Sequence, residues 1–323
     1  MSEKPRETKN VKIAFAGSGP FAEPIFKALV ENFDNLNLVT KKDKPRGRGG
    51  ASLEPALKKL AKSKDIPIFE AENKLEFEKV TEQINPDLVI VSSLGIIITP
   101  KTLDMPKYGF LNVHYSLLPL HRGSSPVQST ILSGDKKAGF VIQKVAEEVD
   151  AGDIIYKDEL DLNGRETTET LGETLLNMAA AKLPDIIMDY IDGKITPKTQ
   201  DHSKATFSKI IQKSDGKIDW NEPAETIERK VRAYAPWPSA YTFWDGKMLK
   251  IIEATASDIN SGQKPGTFIK LDSGSGSEMT GLYGVQTIKG TLLVNKVQLE
   301  GKKPLKTSDF LLGNSKIIGE ILS

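Results

Sequence analysis

Two rhythms divide the chain. From Val11 to about Ile195, short apolar runs alternate with stretches whose apolar positions recur at helical spacing. Val11–Ala16, Leu36–Thr40, Ile66–Phe69, Leu88–Ser92, Phe110–His114 and Gly139–Val145 read as strands. Leu88–Ser92 is apolar almost throughout, the pattern of a strand covered on both faces. Pro20 opens a helix with Phe21, Ile25, Phe26, Leu29 and Val30 at helical spacing. Leu53–Ser63 carries Leu53, Leu57 and Leu60 on one stripe. Pro126–Leu132 is a further helix, with Ser124 to cap it and Gly134 to end it. Thr168–Asp192 is a long helix with Pro184 as a kink point. This alternation predicts a doubly wound parallel α/β sheet.

From Thr206 the rhythm changes. One helix, Glu222–Tyr234 with Asn221 as its cap, is followed mostly by short strands and turns. Asp245-Gly246 reads as a hairpin turn between Tyr241–Trp244 and Met248–Glu253. The Gly/Ser-rich run Asp272–Ser277 is a loop, and Gly290 separates Val285–Ile288 from Thr291–Leu299. A small, partly closed β-barrel is expected. The polar stretch Thr196–Lys204 reads as the linker, which divides the chain into domains at 1–204 and 205–323.

Composition narrows the classes. At 323 residues the chain exceeds what one core usually serves, and 38% hydrophobic with 27% charged residues is ordinary for a globular protein. Apolar runs such as Leu94–Thr99 fall far short of the roughly 18–20 residues that span a bilayer. Met1–Asn10 is charged and has no apolar core, so neither a secretory leader nor a transit peptide is expected, and a cytoplasmic protein is. There is no cysteine, which excludes disulfides, thiolate catalysis and Cys-ligated zinc; no paired-histidine metal spacing appears either. Net charge is +1, so no global field announces a polyanionic partner. Locally, Lys41, Lys42, Lys44, Arg46 and Arg48 face only Asp43.

Two segments carry candidate chemistry. Gly17-Ser18-Gly19-Pro20-Phe21-Ala22 follows a strand and opens a helix, as a shortened dinucleotide fingerprint does. The acidic ribose partner expected about 20 positions on is instead Thr40-Lys41-Lys42, which would suit a 2′-phosphate at best. A tight turn that simply needs glycine explains the same residues. The second segment is Asn112 to Gly123. Asn112 and His114, two apart on one strand, share a face at its carboxyl end, where open α/β sheets bind ligands. An amide donor beside an imidazole suits a developing oxyanion. Ser116, Leu117, Leu118 and Pro119 offer backbone amides and an apolar wall to a ring-shaped ligand. Downstream, Glu147 to Asp153 forms an acidic turn whose Asp150 could raise the pKa of His114 and fix its tautomer. A satisfied core histidine and a solvated turn would read the same way.

The signature resembles that of the folate-dependent formyltransferases. There Asn-x-His leads into Ser-Leu-Leu-Pro and Arg-Gly, followed by an Asp-x-Gly-Asp turn. Asn112, His114, Ser116–Pro119, Arg122-Gly123 and Asp150–Asp153 occupy those places. The likeness extends to Ile218-Asp219-Trp220, Arg232-Ala233-Tyr234, Pro236-Trp237-Pro238 and Gly301–Pro304. It is strongest to members that act on initiator methionyl-tRNA. The resemblance implies a Rossmann-like catalytic domain without a dinucleotide, followed by an OB-like tRNA-binding domain. It also implies formyl transfer from 10-formyltetrahydrofolate to the amine of methionine on the initiator tRNA. Asn112, His114 kept cationic by Asp150, and Asp150 itself would be catalytic, with no metal. Ser116, Leu117, Leu118 and Pro119 would bind folate. Lys41, Lys42, Arg46 and Arg48 would meet the acceptor stem, and Lys209, Lys213, Lys302 and Lys303 the RNA backbone. A cytoplasmic monomer without membrane contact is expected. Ala151 stands where the family has threonine, and Gly50-Ala51 where it has two lysines. Serines at Ser124 and Ser125 replace alanines. Rival readings are a formyltransferase of nucleotide-sugar amines, a formyl-folate hydrolase and an NADP-dependent oxidoreductase built on Gly17–Ala22.

Overall fold

The computed structural model describes residues 11–43, 54–271 and 282–323. The chain forms two compact units, one of Met1–Pro126, Lys137–Leu160 and Gly172–Ser208, the other of Val127–Lys136, Asp161–Leu171 and Lys209–Ser323.

The first unit is built on a seven-stranded sheet. Its strands are β1 (Ile13–Gly17), β2 (Leu36–Thr40), β3 (Ile68–Glu70), β4 (Leu88–Ser92), β5 (Phe110–His114), β7 (Lys137–Lys144) and β8 (Ile154–Asp161). The order is β3-β2-β1-β4-β5-β7-β8. The chain runs out from β1 to one edge and then returns past it to the other, the doubly wound arrangement. β1 to β5 are parallel, as the rhythm predicts. β7 departs from it, running antiparallel to β5 with Asn112 opposite Gln143 and His114 opposite Val141. All five residues of β1, β2 and β4 are buried, which accounts for their unbroken apolar runs. A short pair, β6 (Arg122–Gly123) with β9 (Phe207–Ser208), stands apart from this sheet.

Connecting helices include α1 (Glu23–Asn32), α2 (Ala56–Ser63) and α3 (Lys74–Ile84). The Gly17 turn is set by crowding. A Cβ on Gly17 would lie 2.6 Å from the carbonyl oxygen of Ser92 on β4, so close strand approach is reason enough for glycine there. After Gly19, Pro20–Ala22 is a 3₁₀ turn and the α-helix starts only at Glu23. In α3, Phe77, Val80 and Ile84 recur at helical spacing and pack into the core; Asn73 starts it, its Oδ1 accepting from the amides of Leu75 and Glu76.

Further on, α4 (Pro100–Leu103), α5 (Pro126–Ser133) and α6 (Thr168–Ile191, with Pro184 inside it) lie where the chain turns or spans. In the second unit α7 (Ala224–Ala233) begins two residues later than its sequence predicts. Asn221 does not cap it, because its side-chain amide donates to Asp219 instead. The antiparallel sheet comprises β10 (Ala240–Trp244), β11 (Lys247–Ser257), β12 (Phe268–Leu271), β13 (Leu282–Gln286), β14 (Thr291–Leu299) and β15 (Leu305–Lys306). Its order is β10-β11-β14-β13-β12, with β15 on β14; α8 (Thr307–Leu312) follows. Asp245 and Gly246 both take positive φ, the turn that matches hairpin twist. The edge strands do not pair. Residues 319–323 bridge them: Phe268 donates to Glu320 O at 2.9 Å, and Phe243 and Ser323 exchange hydrogen bonds of 2.8 and 3.1 Å. That strap makes the sheet a partly closed barrel around a core that includes Ile227, Ile251, Phe268 and Leu292. The Asp272–Ser277 loop and the start of the predicted Leu53–Ser63 helix lie outside the described residues.

Candidate functional site

At the carboxyl end of β5 the sheet ends in polar side chains, and one carboxylate gathers them. Asp150 follows β7 on the loop to β8. Its Oδ1 accepts from Gln143 Nε2 at 2.8 Å and from Asn112 Nδ2 at 3.3 Å. Its Oδ2 accepts from the Gly123 amide at 2.8 Å and faces His114 Nδ1 at 3.5 Å. The loop reaches this position under local constraint. Asp150 has φ +52°, a left-handed conformation that non-glycine residues seldom adopt. Two residues on, a Cβ on Gly152 would fall 1.8 Å from the Lys144 carbonyl oxygen, so only glycine permits the close return of the loop onto β7.

His114 is buried. Its Nε2 lies 3.1 Å from the carbonyl oxygen of His121, a residue also held at positive φ. A carbonyl only accepts, so Nε2 carries a proton. Burial opposes charge on the ring more strongly than Asp150 and the His121 carbonyl favour it, and the pKa lies below the ordinary 6.5. Burial thus works against the cation that the sequence reading expects, while the facing Asp150 works for it. The other ring nitrogen, Nδ1, is turned toward Asp150. A proton arriving on Nδ1 would meet a carboxylate there, and the cation would be held at both nitrogens.

The other expected site residues divide. Ser116 and Leu118 are turned into the protein, and the Ser116 hydroxyl donates to Leu120 O at 2.6 Å. Leu117 and Pro119 keep partly exposed surface three and five residues beyond His114. Lys41 leaves β2 with its Nζ only 3.2 Å from where a Cβ on Gly95 would sit. Lys42 is exposed; its amide donates to Glu72 and its Nζ pairs with Glu76 at 3.4 Å. Arg46 and Arg48 lie outside the described residues. Of the candidate RNA-backbone lysines, Lys209 is paired with Asp215 at 2.5 Å, while Lys302 and Lys303 are exposed.

Sequence reasoning missed two residues on the Asp150 side. Gln143 is 1% exposed, an amide that directly follows the apolar run Ala138–Ile142. Its place opposite Asn112 needed the antiparallel register to be seen. Gln200 is 4% exposed and comes from the stretch read as a linker. Among the described residues no group of three acidic or histidine side chains is arranged to hold a metal ion, and no helix is long and apolar enough to cross a membrane.

Comparison with known proteins agrees with this architecture. The formyl transferase family pattern matches residues 10–187, and that of the formyl transferase C-terminal domain matches residues 210–315. The methionyl-tRNA formyltransferase of Clostridium acetobutylicum is 34% identical over 315 residues, covering 97% of this chain and 99% of its own. That of Chloroflexus aurantiacus is 36% identical over 307 residues, with 94% and 97% covered. Among solved structures, an N-formyltransferase from Helicobacter canadensis, in complex with folinic acid and dTDP-3-aminofucose, superposes with a TM-score of 0.65. It is 17% identical and covers 88% of this chain and 98% of its own.

Proposed function

This chain belongs to the methionyl-tRNA formyltransferase family, and on that premise we propose that it transfers the formyl group of 10-formyltetrahydrofolate to the amino group of methionine on initiator methionyl-tRNA. One observation carries the reading: likeness at 34% identity runs through both halves of the chain to enzymes of that name. A shared fold alone would not separate it from the sugar N-formyltransferases, which match at under 20% identity.

The site supports the chemistry. The formyl donor is a co-substrate that supplies an electrophilic carbon and a leaving nitrogen. Leu117 and Pro119 offer it apolar surface beside the polar cluster. Attack by the amine builds charge on the formyl oxygen, and Asn112 has a second amide hydrogen, besides the one given to Asp150, to donate there. The attacking amine must lose a proton. Asp150 is the more open partner, with its side chain 12% exposed against 5% for His114. The Asp150–His114 pair accepts that proton and returns it to the leaving nitrogen.

In this reading residues 1–204 form the catalytic domain and 205–323 a tRNA-binding domain, acting as a monomer in the cytoplasm. Lys41, Lys42, Arg46 and Arg48 would hold the acceptor stem through phosphate contacts. The test is product analysis. Purified protein with 10-formyltetrahydrofolate and initiator methionyl-tRNA should yield N-formylmethionyl-tRNA, and Asp150→Asn should slow its formation by a factor on the order of 10² or more. Absence of formylmethionine with the wild-type protein, or an Asp150→Asn rate equal to it, contradicts the proposal.

A further inference from the structure

Behind Asp150 lies a line of buried side chains that the transfer chemistry above does not use. It begins at Arg122, whose guanidinium is 1% exposed, among the largest wholly buried side chains of the described residues. Arg122 donates through Nε and Nη2 to Gln200 Oε1 at 3.3 and 2.9 Å. Its Nη2 also lies 3.1 Å from His202 Nδ1, and its Nη1 pairs with Glu148 at 3.3 Å. The guanidinium has no acceptor atom, so the oxygen of Gln200 must face it and the amide nitrogen must point away. That nitrogen lies 2.9 Å from Asp150 O, 2.7 Å from Gly152 O and 3.2 Å from Gln143 Oε1. Gln143 is oriented by its own donation to the Asp150 carboxylate at 2.8 Å, which leaves its oxygen toward Gln200, whose two amide hydrogens are shared among the three acceptors.

Every donor in this line therefore points the same way, from a buried cation to the carboxylate. Such a series polarises along its length. It also spans the turn at both ends, since Gln200 holds the backbone of Asp150 and Gly152 while Gln143 holds the side chain. The left-handed backbone of Asp150 is a conformation that persists where surrounding contacts over-determine it, and these contacts do so.

We propose that Gln143 and Gln200 are positioning residues of the formyl transfer, relaying the buried charge of Arg122 to Asp150 and so setting how tightly Asp150 and His114 share a proton. The segment 196–204 is then part of the catalytic apparatus rather than a passive connection. The proposal rests on the function read above, and its consequence is specific. Gln143 donates to the ionised carboxylate, so losing that donor makes the carboxylate hold a proton on His114 more tightly. Gln143→Leu removes the donor; Gln143→Glu keeps the size and sets a like charge against Asp150.

Both variants and the wild type would be assayed for formylation of initiator methionyl-tRNA across pH. The expected result is a turnover lowered about 10–100-fold, as for partners that orient a reacting group from behind. The Michaelis constant for 10-formyltetrahydrofolate should hold, and the acid limb of the turnover profile should move to higher pH. The same variants would be followed by ¹⁵N NMR of His114, where the protonation midpoint should move up. The NMR reading needs no turnover, so it separates failure of this inference from failure of the proposed reaction. Gln143→Glu replaces one planar side chain with another of the same size and serves if Gln143→Leu does not fold. Gln200→Glu, which keeps the Arg122 contact but loses the donors, should lower turnover in the same way. A wild-type-like turnover in the Gln143 variants, or a fall in turnover with the acid limb and the His114 midpoint both unmoved, overturns the proposal.

Discussion

His114 concentrates the residue-scale argument. Its two nitrogens face oxygens, while burial pulls its pKa below the ordinary value. Replacing it by alanine should lower turnover by about 10²–10³ while the affinity for 10-formyltetrahydrofolate, measured by equilibrium titration, stays near that of the wild type. The same depressed pKa fixes a sign for stability. The unfolded chain binds the proton more readily than the folded one, so folding loses stability as pH falls below about 6.5 and keeps it above. Thermal unfolding from pH 7.5 to 5.5 should show that decline, reduced in His114→Ala. How much of this was legible in the sequence follows from geometry. Asn112 and His114 are two apart, and a strand puts such residues on one face whatever the tertiary fold. Asp150 was visible as part of a turn motif. The charge state of His114 was not, because a sequence shows a neighbouring acid but not the burial that opposes it. Gln200 was hidden for the opposite reason: a glutamine among polar residues looks solvated.

At the scale of elements, local signals and tertiary pairing part company. Leu36–Thr40, Leu88–Ser92 and Phe110–His114 have the bounds their apolar runs predict, since each run is bounded by polar or turn residues. The direction of β7 is not encoded in such a run. An alternating strand–helix rhythm predicts a parallel neighbour, but β7 meets β5 antiparallel, and that reversal brings Gln143 opposite Asn112. The predicted turn at Asp245-Gly246 held because it depends on two residues alone. The Asp150 loop depends on glycine in another way. Gly152→Ala would drive a methyl group into the Lys144 carbonyl, and the backbone must shift to admit it. A loss of roughly 1–3 kcal/mol in denaturant unfolding is expected, as for other overpacked sites, and turnover should fall with it because Asp150 rides on the same turn.

For the whole molecule, a net charge of +1 leaves RNA affinity to local patches, and Lys41 to Arg48 sets five basic residues against one acid. Arg48→Ala should raise the Michaelis constant for methionyl-tRNA and leave folate binding alone. If the contact is to phosphate, the log–log salt dependence of tRNA binding should flatten by about one unit at most. The family's acceptors differ by far more than one contact: a tRNA is a long polyanion, whereas a nucleotide sugar is small. The most direct measurement of the account is therefore a comparison of acceptors. With 10-formyltetrahydrofolate fixed, the specificity constant of the wild-type protein would be measured for initiator methionyl-tRNA and for a dTDP-linked amino sugar at low and raised salt. The account predicts rapid formylation of methionyl-tRNA that weakens steeply with salt, and no comparable reaction of the sugar. Preferential formylation of the amino sugar, insensitive to salt, would contradict it.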